Sequence, residues 1–240
     1  MTDLTNTDAI AAWSELPLER IEHFGDEGDF VRKYLLNPAI FAALGDIRGK
    51  RILDAGCGQG YLSRLLTKQG ASVTGIEPSS TQYAYALRRE QAEQLGIAYL
   101  QADLSTWLPA ADMFDHVVAN MVFMDIPDYL DALHNCVAAL KISGLLIFSL
   151  LHPCFEEPGA EWRKKGYVET TDYLQERVVK QDYGHFIHRP LSAYLNSVIQ
   201  AGCALQSVLE PQLDKTLAEQ HHAERYWSVP GYLVVVAQKQ

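Results

Sequence analysis

The chain is 240 residues long with a formal net charge of −10 and an isoelectric point near 5.2, so its surface as a whole repels phosphate backbones and disfavours nucleic-acid partners. Four scattered cysteines, Cys57, Cys136, Cys154 and Cys203, form no C-x-x-C pair and offer no zinc spacing, which points to a reducing compartment and no metal site. Neither a basic and apolar leader nor a stretch of about 18 apolar residues occurs, so a soluble cytoplasmic protein with no membrane partner is expected.

Residues 1–49 read as helical pieces, Asp8 to Leu16 and about Phe30 to Leu44, joined by the acidic Phe24-Gly-Asp-Glu-Gly-Asp29. Arg51 to Ala55 then reads as a short buried strand, Gly56, Gly58 and Gly60 as a tight turn, and Tyr61 as the start of a helix with Leu62, Leu65 and Leu66 at helical spacing and Gly70 as its stop. In such a turn the missing Cβ atoms let backbone N–H groups approach a ligand, and the helix N-terminus favours a negative or strongly polar group. The spacing G-x-G-x-G puts Tyr61 where a dinucleotide fingerprint wants its third glycine, and no lysine follows until Lys68, which disfavours NAD and excludes a P-loop. Two acidic residues frame the turn: Asp54 before it and Glu77 at the end of the next strand, Ala71 to Glu77. A ligand ammonium needs an acceptor, and a ribose diol suits a carboxylate that accepts two hydrogen bonds.

Ser79-Ser-Thr-Gln82 is a capping-box pattern opening a helix that runs to Gly96, and Ile97 to Ala102 is the third strand. Phe114 to Asn120 is the fourth. A helix opened by Ile126-Pro127 follows, with Leu130, Leu133, Val137 and Leu140 as its core stripe and His134 packed on the same side. The fifth strand, Leu145 to Leu151, ends in His152-Pro153, where the regular alternation stops. Residues 153–189 are an aromatic and charged insertion, read as a substrate lid. Its alternation in Tyr167-Val-Glu-Thr-Thr and Gln175-Glu-Arg-Val-Val suggests a hairpin. Arg189-Pro190 opens a last helix carrying Leu191, Leu195, Val198 and Ile199, and Ala204 to Leu209 and Tyr232 to Ala237 are the final strands; His221 and His222 between them read as surface residues.

Five segments in order carry a resemblance: Leu53-Asp-Ala-Gly-Cys-Gly-Gln-Gly60, Gly75-Ile-Glu-Pro-Ser79, Gln101-Ala-Asp-Leu104, Phe114-Asp-His-Val-Val-Ala-Asn120 and Ser143-Gly-Leu-Leu-Ile-Phe-Ser149. Together they resemble the class I S-adenosylmethionine-dependent methyltransferases, near the small-molecule subgroup of the ubiquinone-biosynthesis type. The resemblance implies an α/β, Rossmann-like, doubly wound seven-stranded sheet, mostly parallel with an antiparallel C-terminal strand. It further implies a single domain of four parts: a helical cap 1–49, a cofactor-binding core 50–152, the lid insertion 153–189 and a C-terminal helix and strand pair 190–240. It implies S-adenosyl-L-methionine as cofactor, with S-adenosyl-L-homocysteine as product. The cofactor would be held by Tyr34 of the N-terminal extension, Asp54, Gly56, Cys57, Gly58, Gly60, Tyr61, Glu77, Pro78, Ser79, Gln82, Asp103, Leu104, Asn120 and Met121. Asn120-Met-Val-Phe123 departs from the Asn-Pro-Pro-Tyr of base-amine methyltransferases, so the expected acceptor is a small molecule, with a monomer or homodimer as the assembly. A hydroxyl or ammonium acceptor must lose a proton, and histidine is the usual base. His152, at the end of the fifth strand, is the first candidate and His188 the second, with Tyr194 as a hydrogen-bond partner.

Overall fold

The structure, a computed structural model, describes residues 4–156, 162 and 164–240. Its centre is a seven-stranded sheet in the order β3-β2-β1-β4-β5-β9-β8. The strands are β1 (Arg51–Ala55), β2 (Ser72–Ile76), β3 (Ala98–Leu100), β4 (Phe114–Asn120), β5 (Leu140–Leu151), β8 (Cys203–Leu209) and β9 (Tyr232–Lys239). The first five are mutually parallel, and β9 runs antiparallel to both of its neighbours. Strand order reverses between β1 and β4, and the carboxyl ends of the strands there frame the crevice in which open α/β sheets take ligands.

Helices cover both faces, which is why Ile52, Leu53, Asp54 and Ala55 of β1 and Val117, Val118 and Ala119 of β4 are all buried. On one face α6 (Tyr129–Ala139) buries Leu133 and Val137 against β4 and β5, and α7 (Leu191–Gln200), which packs on β8, adds Val198 to the same core. On the other, α3 (Asn37–Leu44) buries Ile40 over β5 and β9, and α4 (Tyr61–Lys68) buries Leu62 and Leu66 over β2. The remaining helices are α1 (Asn6–Ser14), α2 (Leu18–His23), α5 (Ser80–Glu93), α8 (Lys215–Gln220) and α9 (Arg225–Ser228), with a π-helical segment at Arg32–Leu36 leading into α3.

Several boundaries differ from the sequence reading, each for a physical reason. The first helix starts at Asn6 because Thr5 and Asp8 form a capping box. The buried stripe of α6 is Tyr129, Ala132, Leu133, Cys136 and Val137. Leu130, 45% exposed, and His134, also exposed, stand one position off that stripe and face solvent. Ile199 of α7 is likewise outward, since Tyr194, Ser197 and Val198 take the inner face. Strand β5 starts at Leu140 because a register shift near Phe114 lets Leu140 pair with the start of β4. The hairpin of the insertion is β6 (Arg177–Lys180) with β7 (His185–His188), closed at Gly184 rather than between Thr171 and Gln175. Residues 157–161 and 163 of that expected lid lie outside the described residues.

Candidate functional site

At the crevice the chain leaves β1 through a turn that only glycine can make comfortably. Gly56 has φ +69°, and a Cβ there would stand 2.7 Å from both methyls of Val122; Gly60, at φ +81°, starts α4, and a Cβ there would overlap the Tyr99 hydroxyl. The turn is held from beneath: Cys57 N–H donates to the Ile76 carbonyl at 2.9 Å, and Gly58 N–H to the Glu77 carboxylate at 2.8 Å. Ser79 N–H donates to the other Glu77 oxygen at 2.8 Å. Glu77 is 5% exposed, and burial pushes its carboxyl up to about 7, against the pull of those two N–H groups. A carboxylate has about four acceptor positions, so two remain for a ligand.

At the end of β4 a buried polar chain fixes the backbone. Asn120 Nδ2 donates to the Tyr61 hydroxyl at 2.6 Å, and that hydroxyl donates to Asn37 Oδ1 at 3.1 Å. Asn120 Oδ1 accepts from Ser149 at 2.6 Å, and the Ser149 hydroxyl accepts from Met121 N–H at 2.9 Å. Met121 is held at φ +63°, a conformation costly for a side-chain residue. The chain thereby bends into the turn 122–127, which forms the far wall of a cleft enclosing about 900 Å³ of empty space, measured out to open solvent.

Of the expected cofactor residues, Gly56, Cys57, Gly58, Tyr61, Glu77, Pro78, Gln82, Asp103, Leu104, Asn120 and Met121 line this cleft. Asp54, Gly60 and Ser79 stand behind its wall. Asp54 is 2% exposed, accepts from the Ser63 hydroxyl at 2.6 Å and is pushed by burial up to about 6; Ser79 caps α5 and donates to the Trp13 carbonyl at 3.2 Å. Tyr34 is elsewhere: it packs on Phe30 and His221, and Arg32 of the π-helical segment stands at the cleft in its place.

The structure corrects the three acceptor-side candidates, all of which are buried away from the cleft and already engaged. His152 Nδ1 accepts from Cys154 N–H at 3.2 Å while Nε2 faces Glu210 at 3.0 Å, and burial lowers its pKa against the opposing pull of Glu210. His188 places Nδ1 2.6 Å from Glu156 and Nε2 2.8 Å from the Tyr173 carbonyl, so both ring nitrogens face acceptors. Tyr194 packs on Tyr129 and points its hydroxyl at the Ile187 carbonyl. No described residue of 153–189 lines the cleft.

Comparison with known proteins bears on what this cleft is. Residues 53–148 match the family described as a methyltransferase domain. A solved S-adenosylmethionine-dependent methyltransferase from Mesorhizobium loti is 27% identical, with a TM-score of 0.74 over 84% of this chain and 96% of that one. Residues 53–148 thus form a methyltransferase domain, and the chain as a whole shares the fold of that S-adenosylmethionine-dependent enzyme. A ubiquinone biosynthesis O-methyltransferase of Coxiella burnetii is 33% identical over 147 residues, 59% of each chain, so the alignment spans little more than half of that relative. The fold alone is shared with the [4+2]-cyclase SpnF, at 19% identity and a TM-score of 0.62 over 85% of this chain and 79% of that one.

The cleft is roofed by α1, the first helical piece of the N-terminal extension, which begins at Asn6 rather than Asp8. Asn6, Ala9, Ile10 and Trp13 line it from above. Asn6 straps the helix down: its Nδ2 donates to Ser105 Oγ at 2.6 Å and Asp103 Oδ2 at 3.2 Å, and its Oδ1 accepts from Asp128 N–H at 2.9 Å. Their i, i+3, i+4, i+7 spacing, together with the Thr5-x-x-Asp8 box, is the signal that could have found the helix start at Asn6 and its cleft-facing side. Phe24 and Gln59 were also missed. Gln59 Nε2 donates to the Gly25 carbonyl at 2.7 Å, which brings the acidic loop and Phe24 to the cleft mouth. Asp125, on the turn after β4, is the remaining polar group absent from the expected site.

Proposed function

We propose that this protein transfers the methyl group of S-adenosylmethionine to an oxygen or nitrogen of a small molecule. The carrying observation is the buried Glu77 at the carboxyl end of β2, with two acceptor positions left over, beside a cleft-lining glycine turn packed so closely on Val122 that a Cβ at Gly56 would stand 2.7 Å from its methyls. The donor set fits: Glu77 suits a ribose diol, Asp103 and Leu104 suit an adenine edge, and Arg32 supplies a cation for a carboxylate. Three carboxyl groups, Glu77, Asp103 and Asp125, face a cleft with aromatic walls at Trp13 and Phe24, surroundings that favour a sulfonium cation. When bound, S-adenosylmethionine supplies an activated methyl group. The protein's part is to hold donor and acceptor in line, keep water out under α1 and take the acceptor's proton; positioning alone can supply about 7–11 kcal/mol.

The relatives' names support oxygen as the acceptor atom, and the −10 net charge weighs against nucleic acid. No helix among the described residues is long and apolar enough to cross a membrane. A cytoplasmic, single-domain enzyme, monomeric or homodimeric, with residues 1–49 and 153–189 arranged around the core, fits these features. Calorimetric titration with S-adenosylmethionine and S-adenosylhomocysteine tests the cofactor, and undetectable binding of both by folded protein at millimolar ligand sinks the reading. Labelled methyl donor with RNA, DNA and a metabolite extract tests the acceptor. Label in nucleic acid reverses the acceptor class. Label nowhere favours a non-methylating use of the cleft, since one fold hosts many chemistries.

A further inference from the structure

Three carboxyl groups line the cleft, and two are committed within the protein. Glu77 accepts from Gly58 and Ser79 N–H, and Asp103 accepts from Ser105 N–H at 2.9 Å and the Asn6 amide. The half-buried Asp125 side chain receives no hydrogen bond from any described residue. Yet its backbone is firmly placed. Asp125 N–H closes the turn onto the Val122 carbonyl at 2.8 Å, and Ile187 N–H of β7 donates to the Met124 carbonyl at 2.7 Å. Buried Arg189 donates to the carbonyls of Phe123, Ile126 and Pro127 at 3.0–3.3 Å. A well-fixed turn that presents a carboxyl without a hydrogen-bond donor into a cleft is arranged for a donor from outside, because leaving such a group unsatisfied costs free energy.

Its surroundings narrow what that donor is. Ile10, Trp13, Val122 and Ile126 give the cleft apolar walls on this side, which suit an aromatic ring. An ammonium acceptor would pair with the carboxylate and keep its proton, leaving no lone pair for attack. An aliphatic alcohol is too weak an acid to hand its proton to a carboxylate. A phenol, ionising near 10 like tyrosine, is within reach. Burial pushes the Asp125 carboxyl well above the ordinary carboxylate range, with Arg32 pulling it down and Glu77 adding to the rise, and that narrows the gap to a phenol further.

Resting on the methyl-transfer reading above, we propose that Asp125 is the base for a phenolic acceptor, seated between the turn 122–127 and the roof helix α1. As the methyl–sulfur bond breaks, its electron pair stays on sulfur. The phenol oxygen forms the new carbon–oxygen bond, and its proton passes to the Asp125 carboxylate.

The test uses the full-length protein saturated with S-adenosylhomocysteine and 4-nitrophenol as chromogenic probe, titrated with pH by absorbance. A phenol and a carboxyl that share one proton resist becoming doubly charged. Bound 4-nitrophenol is therefore expected to ionise about one pH unit or more above its value in water, and Asp125→Asn should remove most of that rise. The other titratable groups on the cleft, Arg32, Cys57, Tyr61, Glu77 and Asp103, are unchanged in the variant, so the difference isolates Asp125. Affinity for S-adenosylhomocysteine should stay within about threefold, which shows an intact cleft. The wild-type rise stands as a test by itself should the variant fold poorly. An unchanged midpoint, absence of 4-nitrophenol binding, or a tenfold loss of S-adenosylhomocysteine affinity in the variant, which would assign Asp125 to the cofactor, each overturns the proposal. Failure of the wild type to bind S-adenosylhomocysteine would instead strike the methyl-transfer reading.

Discussion

Glu77→Gln separates what the buried carboxyl does for a ligand from what it costs the fold. The free carboxyl has an ordinary value of 4.5, and in the fold it is pushed up to about 7, first by burial, with the Ser79 and Gly58 N–H groups opposing and Asp54 adding to the rise. The folded state thus holds this proton more tightly than the unfolded chain. Its contribution to stability is fully present below pH 4.5 and is lost as pH rises through about 7. At 1.36 kcal/mol per pH unit, the rise corresponds to about 3 kcal/mol of stability forfeited by the ligand-free protein at alkaline pH. Glutamine keeps an acceptor oxygen and has no proton to lose. Urea unfolding of the ligand-free proteins at several pH values should therefore show the variant gaining about 3 kcal/mol on the wild type between about pH 4.5 and 8. Asp54, also raised, slopes the same way in both proteins and cancels. The same variant should lose about 1.5–3 kcal/mol of S-adenosylmethionine affinity, the range for a hydrogen bond to a charged group. A stability difference that stays flat across this range refutes the assignment of Glu77 as a carboxyl strained by burial, and unchanged affinity refutes its contact with the ligand.

Gly56→Ala puts a methyl 2.7 Å from both Val122 methyls at a φ of +69°; a cost of about 1–3 kcal/mol from the backbone alone, plus the clash, should lower the melting temperature and abolish cofactor binding by calorimetry. Asn6→Ala removes the hydrogen bonds to Asp103, Ser105 and Asp128 that strap α1 over the cleft, so stopped-flow dissociation of S-adenosylhomocysteine should speed up by about tenfold or more, at about 0.5–1.5 kcal/mol per lost bond. His152→Ala breaks the contacts to Glu210 and Cys154. It should cost about 1–3 kcal/mol in urea unfolding and leave cofactor affinity intact, and a fall of about 10²-fold or more in methyl transfer without loss of stability would restore the histidine as a base.

How far the sequence foretells this molecule depends on how local each cause is. The path from β1 through the glycine turn to α4 is legible because backbone conformation, strand burial and helix start are each fixed within a few residues, and Glu77 is legible because its strand must end where the ligand crevice lies. Tyr34 fails because its partner is distant in sequence: it packs on Phe30 and on His221 of the C-terminal part, which leaves Arg32 at the cleft. The histidines fail for a tertiary reason: Glu210, 58 residues from His152, and Glu156, 32 residues from His188, take their ring nitrogens.

Asp125 carries no local signal at all. In Met121-Val-Phe-Met-Asp-Ile-Pro127 a lone acid before Ile-Pro reads as the approach to a helix, and α6 does begin soon after, at Tyr129. What turns Asp125 into the cleft is the strained Met121, clamped by Ser149 of β5, together with Arg189 reaching back from the far end of the insertion to three carbonyls of the turn. The insertion therefore bears on the acceptor side of the cleft by bracing the turn that carries Asp125, although none of its described residues lines the cleft. A residue positioned through contacts that span more than 60 positions of sequence is visible only once the sheet has brought those positions together.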